Sequence, residues 1–205
     1  MKYRIIDKSL ENALIIFVKN AEKGKVKTRL ASTLGDERAL EIYLALLGHT
    51  RKIAQEVDTN RLLFYSNTVN ENDDWPIEDF DKLLQQGNDL GERITHAFQT
   101  AFQKYKKVVI IGSDCASLSN EIVQDAFDQL DQHAFVIGPA MDGGYYLLGM
   151  REFSPGLFQD IEWSTEKVLS STIEKINALG ETYTLLPELS DIDYEEDWEK
   201  FGWKL

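Results

Sequence analysis

The stretch Ala13-Leu14-Ile15-Ile16-Phe17-Val18 consists of six apolar residues and is followed directly by a basic loop, Lys19 to Arg29. A short apolar run of this kind is typical of a strand that is buried on both faces of a sheet. The loop carries five Lys or Arg residues and one Glu in eleven positions. We therefore expect a basic loop at the carboxyl end of a buried strand, where parallel sheets bind their ligands.

Strand and helix patterns alternate along the rest of the chain. Apolar runs predict further strands at residues 61–65, 108–111, 134–137, 145–148 and 183–186. Helical periodicity predicts one helix that begins at Asp36, one over residues 91–104, one capped by Ser119 and one that begins at Ser164. The alternation predicts an α/β fold with a mainly parallel sheet covered by helices, and 205 residues fit a single domain, residues 1–205.

Composition excludes several classes of protein. The formal net charge of -13 disfavours a nucleic acid partner, because neutralising phosphates requires an extended basic face. No apolar run approaches the ~20 residues that a membrane span needs, and the first residues lack the apolar segment of a secretory signal. The single cysteine, Cys115, fits a reducing compartment. We expect a cytoplasmic location and no membrane span.

Acidic residues follow three of the later predicted strands. Asp114 follows the strand at 108–111, Asp142 follows the strand at 134–137, and Asp191 and Asp193 follow the strand at 183–186. Carboxylates at a sheet edge can hold a hard divalent cation through oxygen. Each also has a simpler interpretation, as a turn or as the acidic first turn of a helix. One residue of the last pair needs to face the cleft, and we choose Asp193.

The basic loop is a candidate phosphate site. Gly24 allows backbone amides to approach an anion, while Lys27 and Arg29 supply a point charge and a bidentate fork. The loop is not a Walker motif, and a solvated basic surface is the alternative. The segment Gln86 to Arg93 is a second candidate, able to bind a base or ribose, although a plain loop and helix cap would have the same sequence.

Several segments together resemble a bacterial family of proposed glycosyltransferases in the nucleotide-diphospho-sugar transferase superfamily. The segments run in order from about residue 13 to residue 198 and include residues 17–19, 24–30, 89–93, 112–115, 138–146, 163–165 and 191–197. The resemblance implies a GT-A-type fold, a single three-layer α/β/α domain. It also implies a relationship to the 2-phospholactate and molybdenum-cofactor guanylyltransferases.

The same resemblance implies roles for individual residues. Lys27 and Arg29 would meet the nucleotide phosphates, and Asp89 and Gly91 would line the nucleotide pocket. Asp114 and Asp193 would hold Mg²⁺ or Mn²⁺, and Asp142 would face the acceptor or donor group.

These observations predict a metal-dependent transferase that uses a nucleoside triphosphate or a nucleotide sugar. Transfer of a nucleotidyl group and transfer of a glycosyl group are both open, because one fold can host either reaction. The alternative is a non-catalytic module that senses a nucleotide. The sequence identifies neither the base, nor the acceptor, nor the oligomeric state.

Overall fold

The computed structural model describes residues 11–205. Its strands are β1 (Asn12–Val18), β2 (Asn60–Tyr65), β3 (Asp81–Leu84), β4 (Lys107–Ile111), β5 (Phe135–Pro139), β6 (Tyr145–Met150) and β7 (Tyr183–Leu185). Its α-helices are α1 (Thr28–Glu56), α2 (Leu90–Phe102), α3 (Asn120–Gln129), α4 (Val168–Ala178) and α5 (Glu195–Phe201). A 3₁₀ helix spans Pro155–Phe158.

The seven strands form one sheet in the order β3-β2-β1-β4-β6-β5-β7. Strand β6 runs antiparallel to both of its neighbours, and every other pair is parallel. Strand β6 is antiparallel to β5 because a tight turn joins the two strands, and a parallel pair would need a longer crossover connection. The predicted α/β fold with a mainly parallel sheet is confirmed.

Helices cover both faces of the sheet. One apolar layer joins α1 and α3 to alternate residues of the central strands, including Leu14, Ile16 and Val109. The other layer joins α2 and α4 to the intervening residues, including Ile15 and Ile110. Because successive strand residues point to opposite faces, the continuous apolar runs fill both layers. The three-layer α/β/α arrangement is therefore the one that the sequence predicts.

Two predicted helix starts are wrong. Helix α1 begins at Thr28 rather than Asp36, and Gly35 interrupts it with φ 79° and ψ 160°, so the pattern after Gly35 reveals only its second part. Helix α4 begins at Val168 rather than Ser164, because Ser164 has the left-handed φ of 63°. The edge strand β3 gave no apolar run to detect, since only four residues form it and none is fully buried.

In the region 11–205, no helix combines the length and the apolar character that crossing a bilayer requires. The amino-terminal residues that motivate the cytoplasmic expectation lie outside the described residues, so that expectation stays a prediction.

Candidate active site

A cleft of about 740 Å³ lies at the carboxyl ends of β1, β2, β3 and β4. The basic loop and the start of α1 form one wall, and the first turn of α2 with residues 163–168 forms the other. Residues around the start of β6 and the segment 191–193 complete it. This is the edge at which sheets of this class bind ligands, because loops from several strands converge there.

Lys27 lies between two carboxylates in this cleft. Its Nζ is 3.0 Å from Asp114 Oδ1 and 3.5 Å from Asp193 Oδ1, and only 5% of its side chain is exposed. Burial alone would lower the pKa of Lys27, but Asp114 and Asp193 raise it above its ordinary value. The Lys27 side chain is therefore positively charged where it lines the cleft. Its backbone has a left-handed conformation, with φ 47°.

Arg29 extends the basic wall outwards. Its Nη1 donates to Asp193 Oδ2 over 2.9 Å, and 59% of its side chain is exposed. The structure therefore brings together four of the residues that the sequence selects: Lys27, Arg29, Asp114 and Asp193. Their meeting depends on the backbone of Ile192, whose amide donates to the Asp114 carbonyl over 2.9 Å.

Asp191 lines the same cleft, which corrects the expectation that only Asp193 would face it. The two aspartates flank Ile192, which is fully buried, so their side chains share one side of an extended segment. Burial, together with the nearby Asp114, raises the pKa of Asp191 to about 7, although Lys27 opposes the shift. Asp191 therefore adds a third acidic group to the cleft, beyond ion-pair distance from Lys27, whose ammonium pairs with Asp114 and Asp193.

Asp142 lines the cleft from the turn between β5 and β6. Its Oδ1 accepts the Gly144 amide over 2.9 Å, which fixes the carboxylate at the start of β6. Gly143 has φ 86°, and its carbonyl accepts the Leu169 amide over 2.9 Å. The turn is therefore hydrogen-bonded to the first turn of α4, directly after the segment 163–168.

Three residues predicted to bind the nucleotide do not line the cleft. Asp89 caps α2, with its side chain accepting the Glu92 amide over 2.8 Å. Gly91 lies under Trp163, and a Cβ there would be 3.0 Å from Trp163 Cε2, so packing explains the glycine. Gly24 has φ 76° and faces Asp36, which makes it a turn residue of the basic loop.

Two comparisons identify the family. The family model described as "Uncharacterized protein conserved in bacteria (DUF2064)" matches residues 49–165. A proposed nucleotide-diphospho-sugar transferase from Desulfovibrio desulfuricans G20 shares 35% sequence identity at a TM-score of 0.84, over 90% of this chain and 83% of that chain. The chain belongs to the DUF2064 family. The resemblance to nucleotide-diphospho-sugar transferases is confirmed.

More distant structures share the fold of this DUF2064 chain. The inositol-1-phosphate CTP transferase from T. maritima has 13% identity and a TM-score of 0.59, over 92% of this chain and 91% of that chain. A manganese complex of Rv0371C from Mycobacterium tuberculosis H37Rv has 9% identity and a TM-score of 0.53, over 93% and 97% of the two chains. No curated protein sequence matches.

Tyr43 and Gln85 are among the cleft residues of the DUF2064 chain that sequence reasoning missed. The Tyr43 hydroxyl accepts the Lys19 amide over 2.8 Å and donates to the Lys19 carbonyl over 3.0 Å, which anchors the start of the basic loop. Gln85 follows the edge strand β3. The only sequence signal for Tyr43 was its place on the apolar face of a helix, which is equally a signal for core packing.

Replacing Asp89 by alanine tests its reassignment as a helix cap. We expect Asp89→Ala to lower the free energy of unfolding by about 1 kcal/mol, because the Glu92 amide loses its acceptor. Nucleotide affinity, measured by calorimetry, should stay at the parent value. Asp89→Asn is the matched control, since asparagine also caps helices. A loss of affinity without a loss of stability would return Asp89 to the nucleotide pocket.

Proposed function

We propose that this DUF2064 chain is a metal-dependent transferase that acts on a nucleotide-activated substrate. The observation that carries the proposal is the buried Lys27 ammonium between Asp114 and Asp193, with Arg29 beside it. All four residues sit at one sheet edge, which also supports the proposal that residues 1–205 form a single domain. The relationship to a proposed nucleotide-diphospho-sugar transferase gives independent support.

The cations of the cleft suit a polyphosphate. Lys27 is buried and charged, so it can neutralise a phosphate with little loss of side-chain entropy. Arg29 can present two parallel donors to a second phosphate oxygen pair if it leaves Asp193. In the free protein the carboxylates hold both cations in place, and a bound polyphosphate would compete with Asp114 and Asp193 for them.

The carboxylates fit a hard divalent cation. Oxygens of Asp114 and Asp193 already converge on one positive charge, and their side chains are 39% and 34% exposed to the cleft. Within residues 11–205, no group of three or more His, Cys, Asp or Glu side chains is arranged to hold a metal ion. The proposed ion is Mg²⁺ or Mn²⁺, held by Asp114 and Asp193 together with substrate phosphates, since proteins commonly bind Mg²⁺ through one or two carboxylates and the phosphates of a substrate. Such an ion would supply charge neutralisation at the phosphates.

Asp142 is proposed to face the acceptor or donor group. Its carboxylate is oriented by the Gly144 amide and lines the cleft next to the start of β6. A carboxylate held in this way can accept a hydrogen bond from an attacking hydroxyl and so orient it. Lys27 and Arg29 would then stabilise the charge that develops on the departing phosphate.

The product distinguishes the two possible reactions. In nucleotidyl transfer, an acceptor oxygen bonds to the α-phosphorus of a nucleoside triphosphate and pyrophosphate leaves. In glycosyl transfer, an acceptor oxygen bonds to the sugar carbon of a nucleotide sugar and the nucleoside diphosphate leaves. Incubation with each substrate class and a panel of acceptors, followed by assay of pyrophosphate and nucleoside diphosphate, tests the proposal. Tight nucleotide binding without either product would instead indicate a sensor module.

The proposed metal site predicts a phenotype for Asp114→Asn. We expect Mn²⁺-dependent nucleotide binding to weaken at least about tenfold, the scale seen when a metal site loses even an outer hydrogen-bonding partner. Thermal unfolding should stay cooperative, because the side chain is a cleft residue and not a core residue. Asp128→Asn, at an exposed position of α3, is the control. A variant that no longer melts cooperatively would favour the turn interpretation of Asp114.

A further inference from the structure

The end of the cleft formed by β1, β2 and β3 differs in charge from the rest. Phe17, Ser66 and Gln85 line it there, and the cations Lys19, directly after β1, and Arg93, which donates to the Gly87 carbonyl, also line the cleft. The lining carboxylates of the described residues come from beyond β4, from the turn before β6, and from residues 166, 191 and 193. A base is a flat, uncharged group with polar edges. The uncharged side chains of Phe17, Ser66 and Gln85 offer such a group an apolar contact and polar partners.

The Gln85 carboxamide has one orientation. Its Nε2 donates to the Val18 carbonyl over 3.3 Å and to the Phe64 carbonyl over 3.0 Å, and its backbone amide donates to the Tyr65 carbonyl over 2.9 Å. Both amide hydrogens are thus used. Exchanging the amide nitrogen and oxygen would place Oε1 against two carbonyl oxygens, so the backbone of β1 and β2 excludes the flipped orientation.

The remaining polar atom, Gln85 Oε1, is an acceptor without a donor. In the described part of the chain no group donates to it, and it is not among the buried polar atoms that lack a partner. Oε1 is therefore not fully buried, and Gln85 lines the cleft. A glutamine that cannot flip offers an acceptor and never a donor, so it can discriminate between ligands that differ at the facing position.

We propose that Gln85 Oε1 selects nucleotides whose base carries an exocyclic amino group, which donates to it. The inference rests on the proposed function and adds the class of nucleotide. The position agrees with a base at Gln85 and phosphates at Lys27, because Val18 directly precedes the basic loop and β1 pairs with β4, which leads to Asp114. A base with a carbonyl at the same position would place its oxygen against Gln85 Oε1. Two acceptors would then face each other without a hydrogen between them, so such a base is rejected.

Matched nucleotide pairs test the proposal. Calorimetry in Mn²⁺ compares CTP with UTP, ATP with ITP, and GTP with ITP, and the ratio within a pair removes any shared change in phosphate affinity. In the pair that contains the tightest ligand, we expect the amino-bearing member to bind at least about tenfold more tightly. Gln85→Met should bring that ratio close to one.

Two further variants make the result specific. Gln85→Lys keeps a donor for the Val18 and Phe64 carbonyls but removes the acceptor. The preference should therefore reverse towards the carbonyl-bearing base in the CTP–UTP and ATP–ITP pairs, and should disappear in the GTP–ITP pair, whose members differ only by the amino group. This variant carries the test if Gln85→Met fails to fold. Gln86→Met alters the neighbouring exposed glutamine, which does not line the cleft, and should keep the parent ratio.

The outcomes separate this inference from the proposed function. If no nucleotide binds to the parent, the proposed function fails. If nucleotides bind tightly but the members of each pair bind equally, the function stands and the role of Gln85 is overturned. If Gln85→Lys keeps the affinity ratio of the parent protein, the role of Gln85 is also overturned, because another group must then recognise the base.

Discussion

Lys27→Met is expected to weaken binding of a nucleoside triphosphate or nucleotide sugar by about 1.5–3 kcal/mol, the scale of a charge-assisted hydrogen bond. The change removes the buried positive charge and leaves Asp114, Asp191 and Asp193 facing the incoming phosphates without it. Calorimetry in Mg²⁺ measures the affinity directly. Arg29→Ala should fall at the lower end of this range, because its side chain is largely exposed.

Lys23→Met is the matched control for Lys27→Met. Lys23 belongs to the same loop but pairs with Glu37, and it does not line the cleft. A general effect of loop charge would weaken binding in both variants, whereas a specific contact weakens it only in Lys27→Met. If Lys27→Met binds the nucleotide as tightly as the parent, the assignment of the basic loop to phosphates is wrong.

Gly143→Ala should lower the free energy of unfolding by about 2–4 kcal/mol. The position has φ 86°, which side chains rarely adopt, and the new Cβ would lie 2.6 Å from Glu166 Cα and collide with the Glu166 carbonyl. The segment 163–168 cannot move away without losing the bond between the Leu169 amide and the Gly143 carbonyl. Urea denaturation followed by circular dichroism measures the loss.

Gly156→Ala provides the comparison for this prediction. Its φ is not positive, and a Cβ there would meet no atom within 4 Å, so we expect a change within about 0.5 kcal/mol. A Gly143→Ala variant as stable as Gly156→Ala would mean that the segment 163–168 does not pack against the turn. The wall of the cleft opposite the basic loop would then have to be redrawn.

The parts of the fold that depend on local pattern were predictable from the sequence. The run at 13–18 and the run at 108–111 are apolar at every position, and their short length and β-branched residues are typical of strands buried on both faces. Strand β3 and the first part of α1 were not predictable. Strand β3 lies at the sheet edge and pairs only with β2 among the described strands. The first part of α1 precedes Gly35, whose backbone is not helical.

The candidate site divides in the same way. Lys27 lies in the basic loop that follows the first predicted strand, and Asp114 follows the predicted strand at 108–111 after two residues, so their convergence follows from the parallel sheet. The position of Asp191 in the cleft depends on a backbone hydrogen bond between Ile192 and Asp114, which are far apart in sequence. The orientation of Gln85 depends on carbonyls of two other strands. Such long-range contacts leave no local signal in the sequence. Asp89 and Gly91, which the resemblance implies line the nucleotide pocket, lie instead at the start of α2.

The most direct test of the account is the binding of a triphosphate compared with its nucleoside, by calorimetry in Mg²⁺ and again in EDTA. The account predicts tight triphosphate binding only when the divalent cation is present, since the phosphates otherwise meet the carboxylates of Asp114 and Asp193 without compensation. The nucleoside should bind weakly and equally in both buffers. Triphosphate binding of equal affinity in EDTA, or a nucleoside that binds as tightly as its triphosphate, would contradict it.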